Sequence, residues 1–362
     1  MNKAYKFRLY PNKDQSILIN RTFGCCRLIY NKMLEDKITC YEKTKENLKV
    51  SPAHYKKDFE FLKEVDSLAL CSEWKHLETA YKNFFRNKTI GFPKFKSKHK
   101  DRKSYTTNMV NKNIKLSDKY ITLPKLGMIK VKKHREIPES YKLKSCTISQ
   151  NPSGKYFVSI LFEYEETVAP KEIETAVGLD YSMAELYVSS DSEFANYPKF
   201  YKQAQNKLKK AQRKLSKMQK GSNNRNKQRI KVAKLHEKVS NSRKDFLHKQ
   251  SRKIANSYDL VCIENLNMKA MQKALNFAKS VSDNAWGMFT TFLEYKLKEQ
   301  GKQLIKVDKW FPSSKTCSVC GAKKDELALS QRVYICDCGN ILDRDINAAI
   351  NIKNEGLRIA LA

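Results

Sequence analysis

No stretch of this 362-residue chain stays apolar long enough to span a bilayer, and its N-terminus, "MNKAYKFRLYPNKDQ", lacks the apolar core of a signal peptide. Neither membrane insertion nor export is therefore expected, and the cytoplasm is the expected compartment. Acid is the second scarcity. Asp and Glu number 38 against 71 Lys and Arg, a formal charge of +33. Self-repulsion on that scale penalises the compact state and implies a polyanionic partner, for which a nucleic acid is a better fit than an anionic membrane surface. No internal repeat is visible. Six of the ten cysteines (Cys25, Cys26, Cys40, Cys71, Cys146 and Cys262) have no paired spacing, as expected of reduced, mostly buried thiols. The apolar fraction, 41%, is somewhat low for a globular protein yet too high for disorder, and the length allows two or three domains.

What is present changes character along the chain. "KAYKFRLYP" alternates, with Tyr5, Phe7 and Leu9 on one face and Lys6 and Arg8 on the other, which predicts a half-buried strand ended by Pro11. Residues from about 13 to 90 carry helical periodicity, and residues from about 104 to 166 return to alternation in "KYITLPKLGMIKVKK" and "SGKYFVSILFEYEE". A strand, then helices, then more strands predicts a helical insertion within a β-barrel or sheet. From 174 to 308 strands and helices alternate, the pattern of a mixed α/β domain. Within it "AVGLDYSM" and "YDLVCIENLNM" read as short buried strands, "DNAWGMFTTFLEYKLKEQG" as a helix closed by Gly301, and "KQLIKVD" as a further strand. Residues 199–257 form a long Lys-rich helical stretch, with "KGSNNRN" (220–226) as the turn between two helices.

Both short strands run into an acid, Asp180 after Leu179 and Glu264 after Ile263. A third acid lies in "LDRDINAAINI", where Ile346, Ala349 and Ile350 make an apolar helix face and Asp345 falls in the first turn. Each has a structural reading: Asp180 as a turn starter, Asp343 as a helix cap, Asp345 as a partner of the helix dipole. Taken together in so basic a chain, Asp180, Glu264 and Asp345 read as carboxylates converging at strand ends. Such a set can hold two divalent metals about 4 Å apart for in-line displacement at phosphorus. Mg²⁺, hard and oxygen-seeking, suits it.

The remaining cysteines, Cys317, Cys320, Cys336 and Cys338, crowd into "CSVCG" and "CDCG". Two such pairs make a tetrahedral thiolate cage for one structural Zn²⁺, with no open position for catalysis. The second pair is one residue shorter than the usual spacing. Between 201 and 253, 19 Lys or Arg face two acids, Glu237 and Asp245. Exposed helices usually carry both signs, so this hairpin reads as a phosphate-tracking surface, with Lys209, Lys210 and Arg213 on it, rather than as a solvated hairpin. "GFPKFKSKHKDRKSYTT" (91–107) interleaves aromatics with cations, as a nucleic-acid loop or an ordinary basic loop would.

In order along the chain, "GLDYSM", "IENLNM", "FPSSKTCSVCG" and "DRDINAAINI" resemble the motifs of the TnpB proteins of bacterial insertion sequences, RNA-guided DNA endonucleases related to type V CRISPR effectors. "YKFRLYPNKDQ" and "GFPKFKSK" extend the resemblance over nearly the whole chain. It implies an α/β multidomain protein: an RNase H-like RuvC nuclease core with a zinc-ribbon insertion, plus a β-barrel wedge domain carrying a helical recognition insertion. Residues 1–12 would be a wedge strand, 13–90 the recognition domain, and 91–170 the wedge barrel. Residues 171–309 would be the nuclease domain with its basic hairpin (199–257), 310–340 a zinc ribbon that binds the target nucleic acid, and 341–362 the last part of the nuclease.

The same resemblance places the catalytic, Mg²⁺-binding trio on Asp180, Glu264 and Asp345, the last being the second acid of "DRD". It gives Arg332 of "SQRVYIC" a role in stabilising transition-state charge. Residues between 50 and 110, Tyr55, Ser67, Lys75 and Thr107 among them, would read a short motif flanking the target. Base pairing with a guide RNA from the same element would supply sequence specificity on a double-stranded DNA target, with the protein monomeric in its ribonucleoprotein at the bacterial nucleoid. Two other functions compete. An RNA-guided repressor would bind without cutting, and its signature, a substituted acid, is missing here. A transposase would use the same core for strand transfer, joining DNA ends without RNA.

Overall fold

Strand β1 (Asn2–Tyr10) stops at Pro11, which has no N–H to give a ladder, and Asn12 at once starts helix α1 (Lys13–Thr44). The Asn12 side chain accepts from the Gln15 N–H at 2.8 Å while the Gln15 side chain accepts from the Asn12 N–H at 3.0 Å, a reciprocal cap. The computed structural model describes residues 1–274, 278–328 and 330–362. These fold as two units, Met1–Glu166 and Thr167–Ala362.

In the first unit α1 packs on α2 (Ser67–Arg86), whose N-cap is Asp66. Short strands follow: β2 (Lys103–Asn108), β3 (Lys115–Leu116), β4 (Tyr120–Leu123), β5 (Gly127–Lys132), β6 (Lys142–Gln150) and β7 (Tyr156–Glu163). With β1 they make one antiparallel sheet, ordered β2-β6-β7-β1-β5-β4-β3. Phe7, Leu9, Ile129, Val131, Ile148, Val158 and Ile160 share a core with Ile19, Ile29 and Met33 of α1. The expected barrel does not close by backbone pairing. The ladder ends at β2 on one side and, on the other, at a β3 of only two residues, too short to extend it.

The second unit begins with β8 (Ala176–Ser182) and β9 (Leu186–Ser189), followed by α3 (Phe200–Ser216) and α4 (Asn223–Ser257). Next come β10 (Leu260–Glu264), α5 (Met268–Ala274), α6 (Ala278–Asn284), α7 (Trp286–Lys298) and β11 (Gln303–Val307). A small hairpin, β12 (Val333–Ile335) and β13 (Ile341–Asp343), leads into α8 (Arg344–Leu361). The sheet order is β11-β10-β8-β9, parallel except for β9, which returns against β8 as a hairpin.

Three readings from sequence need correction. Asp180 does not end its strand: β8 continues to Ser182, pairing with β9, and only its parallel pairing with β10 stops at Leu179. The turn of the basic hairpin spans 217–222 rather than 220–226, because Ser222 already caps α4; Gly221, at φ +87°, makes the bend before it. The helix expected from Asp283 to Gly301 breaks at Ala285, φ +53°. There the Asn284 amide donates to the carbonyls of Ser182 and Met183, each at 3.0 Å, and the Asp283 carboxylate accepts from the Tyr201 N–H at 3.0 Å. Among the described residues no helix is long and apolar enough to cross a membrane. Cys25, Cys26, Cys146 and Cys262 are buried, whereas Cys71 is exposed.

Candidate active site and metal centre

Strand alternation assigns the acids to a face. Val177 and Leu179 of β8 and Val261 and Ile263 of β10 point into a core shared with Leu247 and Ile254 of α4 and Phe289 and Leu293 of α7. Gly178, Asp180, Cys262 and Glu264 therefore point to the opposite face, and α8 covers it. The fit is close. A Cβ on Gly178 would lie 2.0 Å from the Ala349 carbonyl oxygen, and one on Gly356 would lie 2.1 Å from the Cys262 Sγ. Only glycine allows the helix so near. Asp345, Ala349, Ile352 and Gly356 follow one another at helical spacing along the side of α8 toward the sheet. Asp345 thus lies one turn before Ala349, and Asp180 two residues beyond the Gly178 that Ala349 touches. Leu179 and Ile263 are the last pair in the β8–β10 register, so Asp180 and Glu264 follow side by side on neighbouring strands.

The electrostatics agree with that convergence. Asp180 is half-buried, and its carboxyl is pushed well above the usual range, first by burial and then by the charges of Glu264 and Asp345; the Tyr181 backbone and Arg344 oppose this only in part. Glu264 is also raised by burial, opposed by the Ser313 hydroxyl, which donates to Glu264 Oε1 at 2.5 Å. Asp343 caps α8 by accepting from the N–H groups of Asp345 and Ile346 at 2.8 and 3.2 Å, which fixes where the first turn presents Asp345. The charges of Glu264 and Asp345 thus raise the proton affinity of Asp180, a repulsion that a divalent cation held by these hard carboxylate donors would relieve. Near Asp345 stand two guanidinium groups, Arg344 Nε at 3.6 Å and Arg332 Nη1 at 3.9 Å. The β12–β13 hairpin brings Arg332 there, the Arg332 carbonyl accepting from the Arg344 N–H at 2.8 Å.

The four cysteines meet despite the short second spacing. Cys317 Sγ lies 3.7 Å from Cys338 Sγ and Cys320 Sγ 3.6 Å from Cys336 Sγ. A tetrahedron with Zn–S of about 2.3 Å has S···S edges of about 3.8 Å, so the cage has the dimensions zinc requires. A disulfide, at about 2.05 Å, does not match these separations. Two turns build the cage, with Gly321 at φ +76° and Gly339 at φ +90°. Burial works against ionising Cys317, yet the N–H groups of Cys320 and Val319 and the Asn340 amide outweigh it and bring the thiol down to about 6.

Sequence reasoning missed the side chains that tie these parts together. The apolar stripe expected on α8 is only part of its buried side, which also carries Asn347 and Asn351. Asn347 accepts from the Ser318 N–H at 2.9 Å and donates to the Thr316 carbonyl at 2.7 Å, while Asn351 donates to the carbonyls of Ser313 and Thr316 at 2.8 and 2.7 Å. One strap, 313–318, therefore carries both Glu264's partner and the first zinc-site cysteine. Asn347 and Asn351, at helical spacing beside the apolar positions of α8, were the available signal.

The other expected contacts fall in different places. Lys209, Lys210 and Arg213 are exposed on α3, as are Ser67 and Lys75 on α2. Tyr55 is buried with its hydroxyl donating to Asp36 at 2.7 Å, and Thr107 is buried in β2, so neither offers surface to a nucleic acid.

Comparison with known proteins adds a family. Residues 159–275 match the OrfB_IS605 profile, described as "Probable transposase"; residues 286–352 match a Cas12f1-like TNB domain, and residues 1–46 a helix-turn-helix domain of the same OrfB group. A Streptomyces pristinaespiralis protein, provisionally named an RNA-guided DNA endonuclease, is 37% identical over 99% of this chain and 90% of its own. InsQ of Escherichia coli K12, with the same provisional name, is 30% identical over 98% of this chain and 92% of its own. In fold, the chain resembles a Cas12f1 from a complex with sgRNA and target DNA: TM-score 0.60, 13% identity, coverage 98% of this chain and 99% of that one.

Proposed function

The chain belongs to the TnpB family of insertion-sequence OrfB proteins, and from that premise we propose that it is an RNA-guided, Mg²⁺-dependent endonuclease of a transposable element, cutting DNA beside a short flanking motif. The observation that supports the chemistry is that Asp180 and Glu264 follow side by side on the sheet face that α8 covers, with Asp345 in the first turn of α8 and its charge acting on Asp180. The relatives' names support the substrate and the guide, and the charge of +33 supports a nucleic-acid partner.

In this reading the sheet β11-β10-β8-β9 with α8 is a RuvC-like core, residues 310–340 its zinc ribbon, and the first unit supplies wedge and recognition functions. Two divalent ions held by the three carboxylates would supply an activated water and stabilise the leaving oxygen of an in-line displacement at phosphorus. The protein's own residues do the rest. Ser313 donates to Glu264, which orients the carboxylate and opposes the rise in its proton affinity. Asp343 fixes the helix start that carries Asp345. Arg332, 67% exposed and 3.9 Å from Asp345, would meet charge developing on a phosphoryl oxygen. The cysteine cage would, with Zn²⁺ bound, rigidify the strap that carries Ser313.

The test is cleavage of a guide-matched plasmid by the purified ribonucleoprotein, with Mg²⁺ and with a chelator. Cutting only with RNA and Mg²⁺ together is the expected result. Joining of DNA ends in the absence of RNA would replace this reading with a transposase.

A further inference from the structure

Trp310 is 80% exposed, more than any other large apolar side chain among the described residues. Indoles are normally largely buried, and the other two tryptophans are less exposed: Trp286 at 3% and Trp74 at 39%. Trp310 does not stand on a loose loop. Its backbone N–H donates to Asp308 Oδ1 at 2.8 Å, the Phe311 backbone N–H donates to the Asp308 carbonyl at 3.1 Å, and Lys309 Nζ lies 4.8 Å from the centre of the indole ring.

Both ends of this turn are fastened to Glu264. On one side Val307 is paired with Glu264 in the sheet, and its carbonyl accepts from the Asn265 N–H at 3.0 Å. On the other, Ser313 donates to the Glu264 carboxylate. Trp310 is three residues from each anchor, so its backbone lies within about 11 Å of either.

We infer that Trp310 is a stacking platform for a base of the DNA strand entering the Asp180–Glu264–Asp345 site, setting where its phosphodiester stands. This rests on the nuclease reading. A rigid indole beside a cation is the surface on which unpaired bases stack whatever their sequence, and Lys309 supplies a counter-charge for the adjoining phosphate. Bases within a duplex have their faces covered by neighbours, so the strand must be unpaired at this point.

Two readouts test this on the full chain with its co-purifying RNA. In the Asp180→Ala protein, made to prevent cutting, oligodeoxythymidine should quench tryptophan emission, and adding Trp310→Phe should remove most of the quench. Separately, Trp310→Ala should slow single-turnover cutting of a guide-matched plasmid roughly tenfold or more, with melting temperature and zinc content unchanged, and Trp310→Phe should recover most of the rate. An equal quench with and without Trp310 would overturn the assignment. So would quenching by oligouridine but not by oligodeoxythymidine, or a Trp310→Ala defect confined to self-association. Failure of the wild type to cut counts against the nuclease reading alone, because the fluorescence comparison still decides the stacking.

Discussion

At Asp180 the fold accepts an electrostatic cost that a metal would relieve. Its folded pKa lies above the unfolded value of about 3.9, so the folded state holds the proton more tightly. Its contribution to stability is therefore full below the unfolded value and is lost as pH rises through the folded one. Without divalent cations, Asp180→Asn should melt several degrees above wild type at neutral pH in calorimetry, with the gap closing in acid. Mg²⁺ should raise the melting temperature of the wild type and not of the variant. Ser313 acts in the opposite sense on Glu264. Ser313→Ala should raise the Glu264 pKa, move the acid limb of the pH–rate profile to higher pH, and cost about 10–100-fold in rate, with Ser313→Thr restoring much of it. Asp180 was legible because an apolar strand pattern breaks at a carboxylate. Ser313 was not, since its partner lies 49 residues away and nothing local separates it from the adjacent Ser314.

Among the elements, α8 connects the carboxylates with the cysteines. Gly178→Ala would drive a methyl group into the Ala349 carbonyl, so α8 must shift. We expect about 1–3 kcal/mol of destabilisation by denaturant titration, with cutting reduced more than guide binding. Cys317→Ser should lose the zinc seen by metal analysis and lower the melting temperature, and it should also slow cutting, because Asn347 and Asn351 bind the 313–318 strap next to that cysteine. Unchanged metal content would contradict the cage. The sequence showed the cysteine cluster and the start of α8 through local spacing. It could not show that the sheet stays open, that Ala285 breaks a helix, or that α8 buries two amides, since each is decided by partners far along the chain.

For the whole molecule the large positive charge is the dominant physical fact, and composition alone made it legible. Nucleic-acid affinity should fall steeply with salt. Replacing Lys209, Lys210 and Arg213 with alanine should reduce the slope of log K against log salt by about 2–3, because each phosphate left without its cation removes about 0.7–0.9. An unchanged slope would remove α3 from the phosphate-binding surface. The central claim, RNA-guided cutting by the three carboxylates, is tested most directly with a plasmid library. The protein is purified with its own RNA, the RNA is sequenced, and matched plasmids with randomised flanks are offered in Mg²⁺ to wild type and Asp180→Ala. Cutting by the wild type alone, confined to a subset of flanks, is the predicted result. Retention of the library by both proteins with no cutting would contradict the account and leave a guided binding protein in its place.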